Sequence, residues 1–162
     1  SDLQFLRRAY QTMQQVLAEE WSGRQPELPL ATTDEALTLA SIIEKETGLA
    51  SERGKIAGVF VRRLRRGMKL QTDPTVIYGL GPRFDGNLRR RDLERATPYN
   101  TYVHPGLPPT PIAMPGRDSI HAALHPADGQ SLYFVARGDG SHQFSQTLAE
   151  HNRAVRKYQI KQ

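Results

Sequence analysis

Prolines in the middle of the chain constrain the fold more than any other feature of the sequence. Eight of the 11 prolines lie between residues 74 and 115, at positions 74, 82, 98, 105, 108, 109, 111 and 115. Proline lacks the backbone N–H that a helix interior or an inner strand needs. This stretch therefore predicts loops with only short helices, at Pro74–Tyr78 and Arg91–Arg95, and longer elements are expected before and after it.

Helical periodicity dominates the residues that precede the proline-rich stretch. Apolar residues recur at spacings of three and four over residues 3–21 and again over residues 52–66. Between these two segments, Thr32 and Glu35 have the spacing of a capping box for a helix that ends near Thr47. Ser51 is the expected cap of the third helix.

The residues after the prolines predict a mixture of helix and strand. A short helix is expected over Ser119–Leu124, paired strands over Ser131–Ala136 and His142–Ser145, and a final helix over Thr147–Gln159. The sequence has no internal repeat and no clear domain boundary. We therefore expect a single α+β domain over residues 1–162, with a helical core and a short β-hairpin.

Composition and charge exclude some classes of site and leave others open. Cysteine is absent, which excludes disulfides, thiolate metal sites and a cysteine nucleophile. The net charge is +5, with arginine clusters at residues 62–66 and 89–91. Such clusters favour polyanions, including nucleic acid and acidic cell-wall polymers, but are equally typical of a solvated helix face. Because the histidines have no metal-ligand spacing and no nucleotide-binding motif is present, we expect neither a metal nor a cofactor.

One carboxyl group continues the apolar stripe of the second helix. The residues at positions i, i+3, i+4 and i+7 of this stripe are Leu39, Ile42, Ile43 and Glu46. A carboxyl held against apolar neighbours has a raised pKa and stays protonated near neutral pH, as a general acid must. The stripe thus favours Glu46 as a catalytic acid.

The alternative carboxyl on this helix is Glu44, which points in roughly the opposite direction. Leu37 and Ala40 make a second apolar edge beneath Glu44, so periodicity alone favours Glu46 only weakly. A glutamate on a helix is also commonly a solvent-facing ion pair, here with Lys45 or Arg53.

Two polar segments supply further candidate ligands for a sugar: Gln71, Thr72 and Asp73, and then Tyr99, Asn100 and Tyr102. Aromatic faces stack on sugar rings, and amides hydrogen-bond to hydroxyl and N-acetyl groups. Each segment also has a purely structural interpretation. Asp73 before a proline is a typical helix cap, and Asn100 is a typical turn residue.

Several long motifs resemble one family of cell-wall enzymes. They are the runs Leu39–Thr47, Ala50–Arg53, Val59–Phe60, Arg63–Leu64, Leu70–Gly79, Tyr99–Tyr102, Gly106–Pro109, Ala123–Pro126 and Leu132–Ala136, together with His142 and Phe144. In these motifs the sequence resembles the YceG-like (MltG) endolytic murein transglycosylases, and the resemblance covers essentially the whole chain.

The resemblance implies a lysozyme-like active-site helix with a single catalytic carboxyl. Lytic transglycosylases have a catalytic glutamate followed by a small hydroxyl residue, and Glu46-Thr47 matches that pair. By this resemblance Glu46 is the acid and then the base. The residues expected to bind substrate are Thr47, Gln71, Thr72, Asp73, Tyr99, Asn100 and Tyr102.

The implied reaction is cleavage of the β-1,4 bond between MurNAc and GlcNAc in nascent peptidoglycan strands, leaving 1,6-anhydro ends. This is a lyase reaction without cofactor or metal. The resemblance also implies peptidoglycan synthases as partners, no nucleic acid, and a single-pass inner-membrane protein with its catalytic domain in the periplasm. The family's membrane anchor and LysM-like region are not in this sequence. The alternative is a non-catalytic basic module that binds glycan or nucleic acid.

Overall fold

The computed structural model describes residues 1–159 as an arrangement of helices around a short hairpin. The helices are α1 (Asp2–Ser22), α2 (Thr33–Glu46), α3 (Ala50–Arg65), α4 (Asp73–Leu80), α5 (Arg90–Glu94), α6 (Arg117–Leu124) and α7 (Leu148–Tyr158), with a 3₁₀ turn at Gly81–Arg83. The strands are β1 (Tyr133–Ala136) and β2 (His142–Ser145). The expected α+β class is therefore confirmed, and the proline-rich stretch contains only short helices.

The core is built around α2, which packs against α1, α3, α4 and α6. Leu39, Ile42 and Ile43 of its stripe are fully buried, and Ile56 and Phe60 of α3 join them. Burial of each such side chain contributes roughly 1.5–3 kcal/mol of transfer free energy. This packing fixes the C-terminal end of α2 and hence the position of Glu46.

The caps at the ends of α2 differ in detail from the predicted ones. The Thr32 hydroxyl accepts from the Glu35 N–H at 3.2 Å, as expected, but the Glu35 carboxylate accepts from the Ala31 N–H instead of closing the box on Thr32. The prediction that Ser51 caps α3 is wrong, because α3 begins at Ala50. The Thr47 hydroxyl accepts from Leu49 N–H at 3.0 Å and holds the turn between the two helices.

The apolar stripe of α1 is only partly covered. Leu17 is buried near its C-terminal end, where α1 meets α2 and α6. Leu3, Leu6 and Tyr10 are each more than half exposed. Within residues 1–159, no helix combines the length and the hydropathy that a membrane span requires.

The hairpin closes the molecule on the side of α3 and α7. β1 and β2 are antiparallel, with Phe134 opposite Phe144. The turn between them uses Gly138 and Gly140 at φ values of 94° and 92°, as its glycines predict. Phe134 also contacts Phe60 of α3 edge to face, at 5.6 Å between ring centroids. The hairpin therefore forms one wall of the space beside Glu46.

Candidate active site

A groove of about 400 Å³ runs between the end of α2, the start of α4, the hairpin and α7. Its polar lining residues are Glu46, Arg63, Gln71, Asp73, Tyr102, His142, His151 and Gln159. A larger hollow of about 660 Å³ lies between α1 and α6, but its described lining residues include no carboxyl group. We take the groove beside Glu46 as the candidate active site, because it joins a concave surface to a carboxyl whose pKa is raised by burial.

Glu46 is the last residue of α2, and its carboxyl is half-buried at the edge of the groove. Burial raises the pKa of this carboxyl to about 7. A hydrogen bond from the Thr72 hydroxyl lowers the pKa, and the negative charge of Asp73 raises it further. Near neutral pH both protonation states are therefore populated, so the group is suited to donate and to accept a proton.

The loop before α4 brings its polar side chains to Glu46 through an unusual backbone turn. Leu70 is buried, and Gln71 then adopts a left-handed conformation with φ of 52°. Such a conformation is uncommon for a residue other than glycine and persists only where neighbouring contacts hold it. Here Thr101 supplies them: its carbonyl accepts from Gln71 N–H at 3.2 Å, and its hydroxyl accepts from Thr72 N–H at 3.0 Å.

Asp73 and Tyr102 form a hydrogen-bonded pair in the groove wall. The Tyr102 hydroxyl donates to Asp73 Oδ1 at 2.5 Å. Burial and this contact raise the pKa of Tyr102, which stays a neutral donor. The alternative that Asp73 caps α4 is wrong, since the N-cap position is Thr72 and no side chain closes it.

Asn100 lies beside the groove without lining it. Its side chain is 1% exposed, and its amide donates to the carbonyls of Leu93 at 2.9 Å and Arg95 at 2.7 Å. Its Oδ1 accepts from Tyr102 N–H at 2.8 Å. The amide is thus occupied by backbone groups, and it shapes the loop that presents Tyr102 to the groove.

Three other predicted substrate ligands, Thr47, Thr72 and Tyr99, also lie outside the groove lining. Thr72 is 2% exposed, and its hydroxyl donates to Glu46. Thr47 is buried and caps the turn before α3. The hydroxyl of Tyr99 lies 2.7 Å from Thr110 Oγ1, and its ring is 4.8 Å from that of Tyr78. The structure therefore brings Gln71, Thr72, Asp73 and Tyr102 together around Glu46, and keeps Thr47, Tyr99 and Asn100 in the surrounding support.

The second glutamate of α2 has a different environment. Glu44 Oε1 accepts from the N–H of Gly116, the N-cap residue of α6, at 2.7 Å. Neither Glu44 nor Glu46 has a cationic side chain within 4 Å in residues 1–159, so the ion pairs with Lys45 or Arg53 are not formed there. Of the two glutamates, Glu46 lines the groove and Glu44 stabilises a helix terminus.

Arg63, His142 and His151 line the groove, although the sequence patterns did not single them out as site residues. His142 comes from the hairpin, which packs against α3, and His151 comes from α7, which packs on the hairpin. Glu52 holds the hairpin there, since its carboxylate accepts from His142 N–H at 3.0 Å. No local spacing encodes this long-range contact, so the family motifs that contain Arg63 and His142 were the sequence signals for these residues.

Potential metal ligands cluster far from the groove lining, where Glu20, His121 and His125 bring donor atoms within 4.8 Å of one another. These groups already have partners in the protein. Glu20 binds His121 at 2.8 Å and Arg117 at 3.0 Å, and His125 Nε2 faces the Gly23 carbonyl at 2.8 Å. The prediction that catalysis needs no metal stays a prediction.

The arginine clusters are largely directed at the protein itself. Arg62 and Arg63 donate to backbone carbonyls, while Arg89 pairs with Asp85 at 2.8 Å and Arg90 pairs with Glu94 at 3.0 Å. A phosphate-binding surface needs its cations free and aligned. This arrangement favours the structural interpretation of the clusters over a nucleic-acid-binding surface.

Comparison with known proteins gives a consistent result. The model of the YceG-like family matches residues 1–157. The chain is 51% identical to a Bacillus subtilis protein named endolytic murein transglycosylase, over 75% of this chain and 34% of that one. It is 35% identical to a Streptococcus pneumoniae protein of the same name, over 76% of this chain and 23% of that one.

A crystal structure of a YceG-like protein from Listeria monocytogenes has the same fold, with a TM-score of 0.71 and 47% sequence identity. The match covers 75% of this chain and 40% of that one. The chain therefore spans between about a fifth and two fifths of the length of these relatives. Because the family model matches nearly the whole length of this chain, the chain belongs to the YceG-like family.

Proposed function

We propose that this chain is the catalytic domain of an endolytic lytic transglycosylase that cleaves peptidoglycan glycan strands. The observation that carries the proposal is the carboxyl of Glu46, whose pKa is raised to about 7 at the edge of a groove. The names of the relatives support the choice of substrate. A groove open to solvent along the hairpin also suits an enzyme that cuts within a strand.

In the proposed reaction, protonated Glu46 donates its proton to the oxygen that links MurNAc to GlcNAc. The bond from C1 to that oxygen breaks, and the GlcNAc side leaves with a hydroxyl group. The Glu46 carboxylate then accepts the proton of the MurNAc C6 hydroxyl, whose oxygen forms a bond to C1. The product is a 1,6-anhydro end, no water is consumed, and Glu46 is again protonated.

The surrounding side chains have separate roles in this scheme. Thr72 donates to the Glu46 carboxylate and stabilises it during the interval between the two proton transfers. Gln71 and Tyr102 both line the groove. The Gln71 amide supplies neutral donors to sugar hydroxyl or N-acetyl groups, and the Tyr102 oxygen, whose hydrogen goes to Asp73, can accept from a sugar hydroxyl. We also propose that peptidoglycan synthases work beside the domain, and that the full-length protein holds it on the periplasmic side of the inner membrane.

Asp73 supports a second candidate function, hydrolysis of the same bond. It lines the groove, and its charge raises the pKa of Glu46, so the two carboxyls are near neighbours. Ordinary glycosidases use two such carboxyls, one as acid and one as nucleophile or base. Asp73 is exposed and accepts from Tyr102, so we assign it to positioning in preference to covalent or base chemistry.

Analysis of the products decides between the two candidates. Glycan strands are digested with the protein, and the new ends are identified by mass spectrometry. We expect 1,6-anhydro ends, which are lighter than reducing ends by one water. Reducing ends that incorporate oxygen from ¹⁸O-labelled water would establish hydrolysis, and unaltered strands would leave a glycan-binding module.

A further inference from the structure

Arg63 places a positive charge on the wall of the groove without a matching carboxylate. Its residue is 6% exposed, and no carboxylate of residues 1–159 lies within 4 Å of its guanidinium. A buried charge without a counter-charge costs several kcal/mol, and proteins generally pair it or use it. The arginine is therefore a feature that needs an explanation beyond packing.

The hydrogen bonds of Arg63 use only part of its donor set. Nε donates to the Leu132 carbonyl at 2.6 Å, and Nη1 donates to the Lys69 carbonyl at 2.7 Å. Arginine has five N–H groups, so Nη2 and the second hydrogen of Nη1 have no acceptor in the described part of the chain. These remaining donors form the forked edge that matches a carboxylate in bidentate geometry.

The neighbours of Arg63 leave its charge uncompensated. The ring of Tyr133 lies under the guanidinium at 4.9 Å, a favourable but neutral contact. His151 lines the same groove, and burial together with the charge of Arg63 lowers the pKa of its imidazole. The pKa of Tyr102 responds to charges of both signs in the groove: beyond the effect of burial, Asp73 and Glu46 raise it and Arg63 lowers it. The groove thus has an acidic pole at Glu46 and a basic pole at Arg63.

We propose that Arg63 is the binding site for a carboxylate carried by the glycan substrate. This inference rests on the proposed function, since it concerns a ligand in the groove of Glu46. The anionic groups of a strand of GlcNAc and MurNAc are the lactyl carboxylates of stem-free muramic residues and the carboxylates of stem peptides. Binding one of them at the basic pole fixes which sugar lies beside Glu46. Arg63 therefore discriminates muramic strands from neutral polymers of GlcNAc.

Arg62 provides a matched control on the same helix. Its Nε donates to the Ser131 carbonyl at 2.7 Å and its Nη1 to the Ala127 carbonyl at 3.1 Å, so it fastens a neighbouring segment just as Arg63 does. Burial lowers the pKa of both guanidinium groups. Arg62 does not line the groove. Removing its charge therefore tests the structural role of such an arginine without touching the basic pole.

The experiment measures affinity by calorimetry, with Glu46→Gln in all chains to prevent turnover. The probes are chitohexaose, stem-free glycan fragments, stem-bearing fragments, and the latter two with their carboxylates converted to methylamides. We expect amidation to weaken binding by about 10- to 100-fold, the usual worth of a charge-assisted pair. If amidation weakens the binding of stem-free fragments, the lactyl carboxylate is the ligand of Arg63. If amidation weakens only the binding of stem-bearing fragments, the ligand is a carboxylate of the stem peptide.

Arg63→Met should abolish this difference, whereas Arg62→Met should keep it even if both variants melt at lower temperature. Equal affinity for charged and amidated fragments of both kinds would overturn the inference, as would a difference that survives in Arg63→Met. If Arg63→Met does not fold, charged and amidated fragments are compared with Arg63 intact, and equal affinities would still overturn the inference. Failure of the proposed function is seen separately, as a lack of anhydro ends from the unaltered chain.

Discussion

The two sides of the last turn of α2 carry the same functional group in opposite surroundings. Glu44 accepts from the backbone at the start of α6, where the peptide dipoles favour its negative charge. Glu46 lies against the core beside the groove, where burial raises its pKa to about 7. Although the two glutamates are only two residues apart, Glu44 binds the backbone at a helix start, whereas the raised pKa of Glu46 suits it to act as an acid. The chemistry of a helical carboxyl is thus set by the side of the helix on which it lies.

Replacing Glu46 is expected to have the largest effect. Glu46→Gln preserves the shape of the side chain but can neither give nor take a proton, so turnover should fall by about 10²–10⁴-fold. Glu44→Gln is the matched control and should keep activity within a few-fold. The measurement is the rate of release of anhydro products. Comparable losses in both variants would show that the two sides of α2 do not differ in function.

The pH dependence of stability gives the next largest effect. The pKa of Glu46 in the folded protein is about 7, against 4.5 in the unfolded chain, so folding favours the protonated form. The contribution of this group is fully present below about pH 4.5, and declines as pH rises to 7 and beyond, by about 3 kcal/mol. Glu46→Gln should therefore gain stability over the unaltered chain at pH 8 but not at pH 4.5. Urea unfolding at both pH values measures this, and parallel curves would contradict the buried acid.

Thr72 and Asp73 should shift the alkaline limb of the pH–rate profile, where Glu46 loses its proton, in opposite directions. The Thr72 hydroxyl bond lowers the pKa of Glu46, so Thr72→Val should move the limb upwards by about one pH unit. The charge of Asp73 raises that pKa, so Asp73→Asn should move the limb downwards by a smaller step.

The profile of rate against pH, taken with each variant's melting temperature, separates these electrostatic effects from loss of folding. Shifts of the same sign in both variants would argue against Glu46 as the group that titrates. A loss above about 100-fold in Asp73→Asn would instead favour the hydrolase with two carboxyls.

The smallest effect belongs to the other side of the helix. Glu44→Ala removes the acceptor of the Gly116 N–H at the start of α6, so the free energy of unfolding should fall by about 1 kcal/mol. Activity should be unchanged at temperatures where the variant is folded. Chemical denaturation monitored by circular dichroism provides the value, and an altered pH–rate profile would contradict a purely structural role.

The sequence predicted the part of the groove that is formed by residues close together along the chain. The spacing of Glu46 on its apolar stripe and the family motifs both indicated the carboxyl that lines the groove, and Gln71 and Asp73 line it too. That Glu46 is catalytic stays a prediction. The basic pole was not predicted, because Arg63 reaches the groove only when the hairpin folds over α3. Asn100 illustrates the opposite case, in which a side chain typical of sugar binding is occupied by three backbone carbonyls and an N–H.

The fold was predictable to a similar depth. Periodicity located the long helices and the hairpin, since each has a clear local pattern. It could not tell how much of a stripe is covered: α1 and α2 have similar apolar spacing, yet Leu6 is 60% exposed and Leu39 is fully buried. Coverage depends on which elements meet in space. The predicted cap of α3 was wrong because the Thr47 hydroxyl binds the Leu49 N–H, so the turn ends earlier and α3 begins at Ala50, one residue before Ser51.

The left-handed turn at Gln71 has a consequence for how the acidity of Glu46 can change. The carboxyl belongs to the central helix α2, while the two groups that adjust its acidity are adjacent residues at the start of α4. They are buried Thr72, whose N–H is held by Thr101, and exposed Asp73. Substitutions at these two positions should therefore change the pKa of Glu46, and with it the pH range in which the acid is protonated, while the apolar core around α2 stays the same.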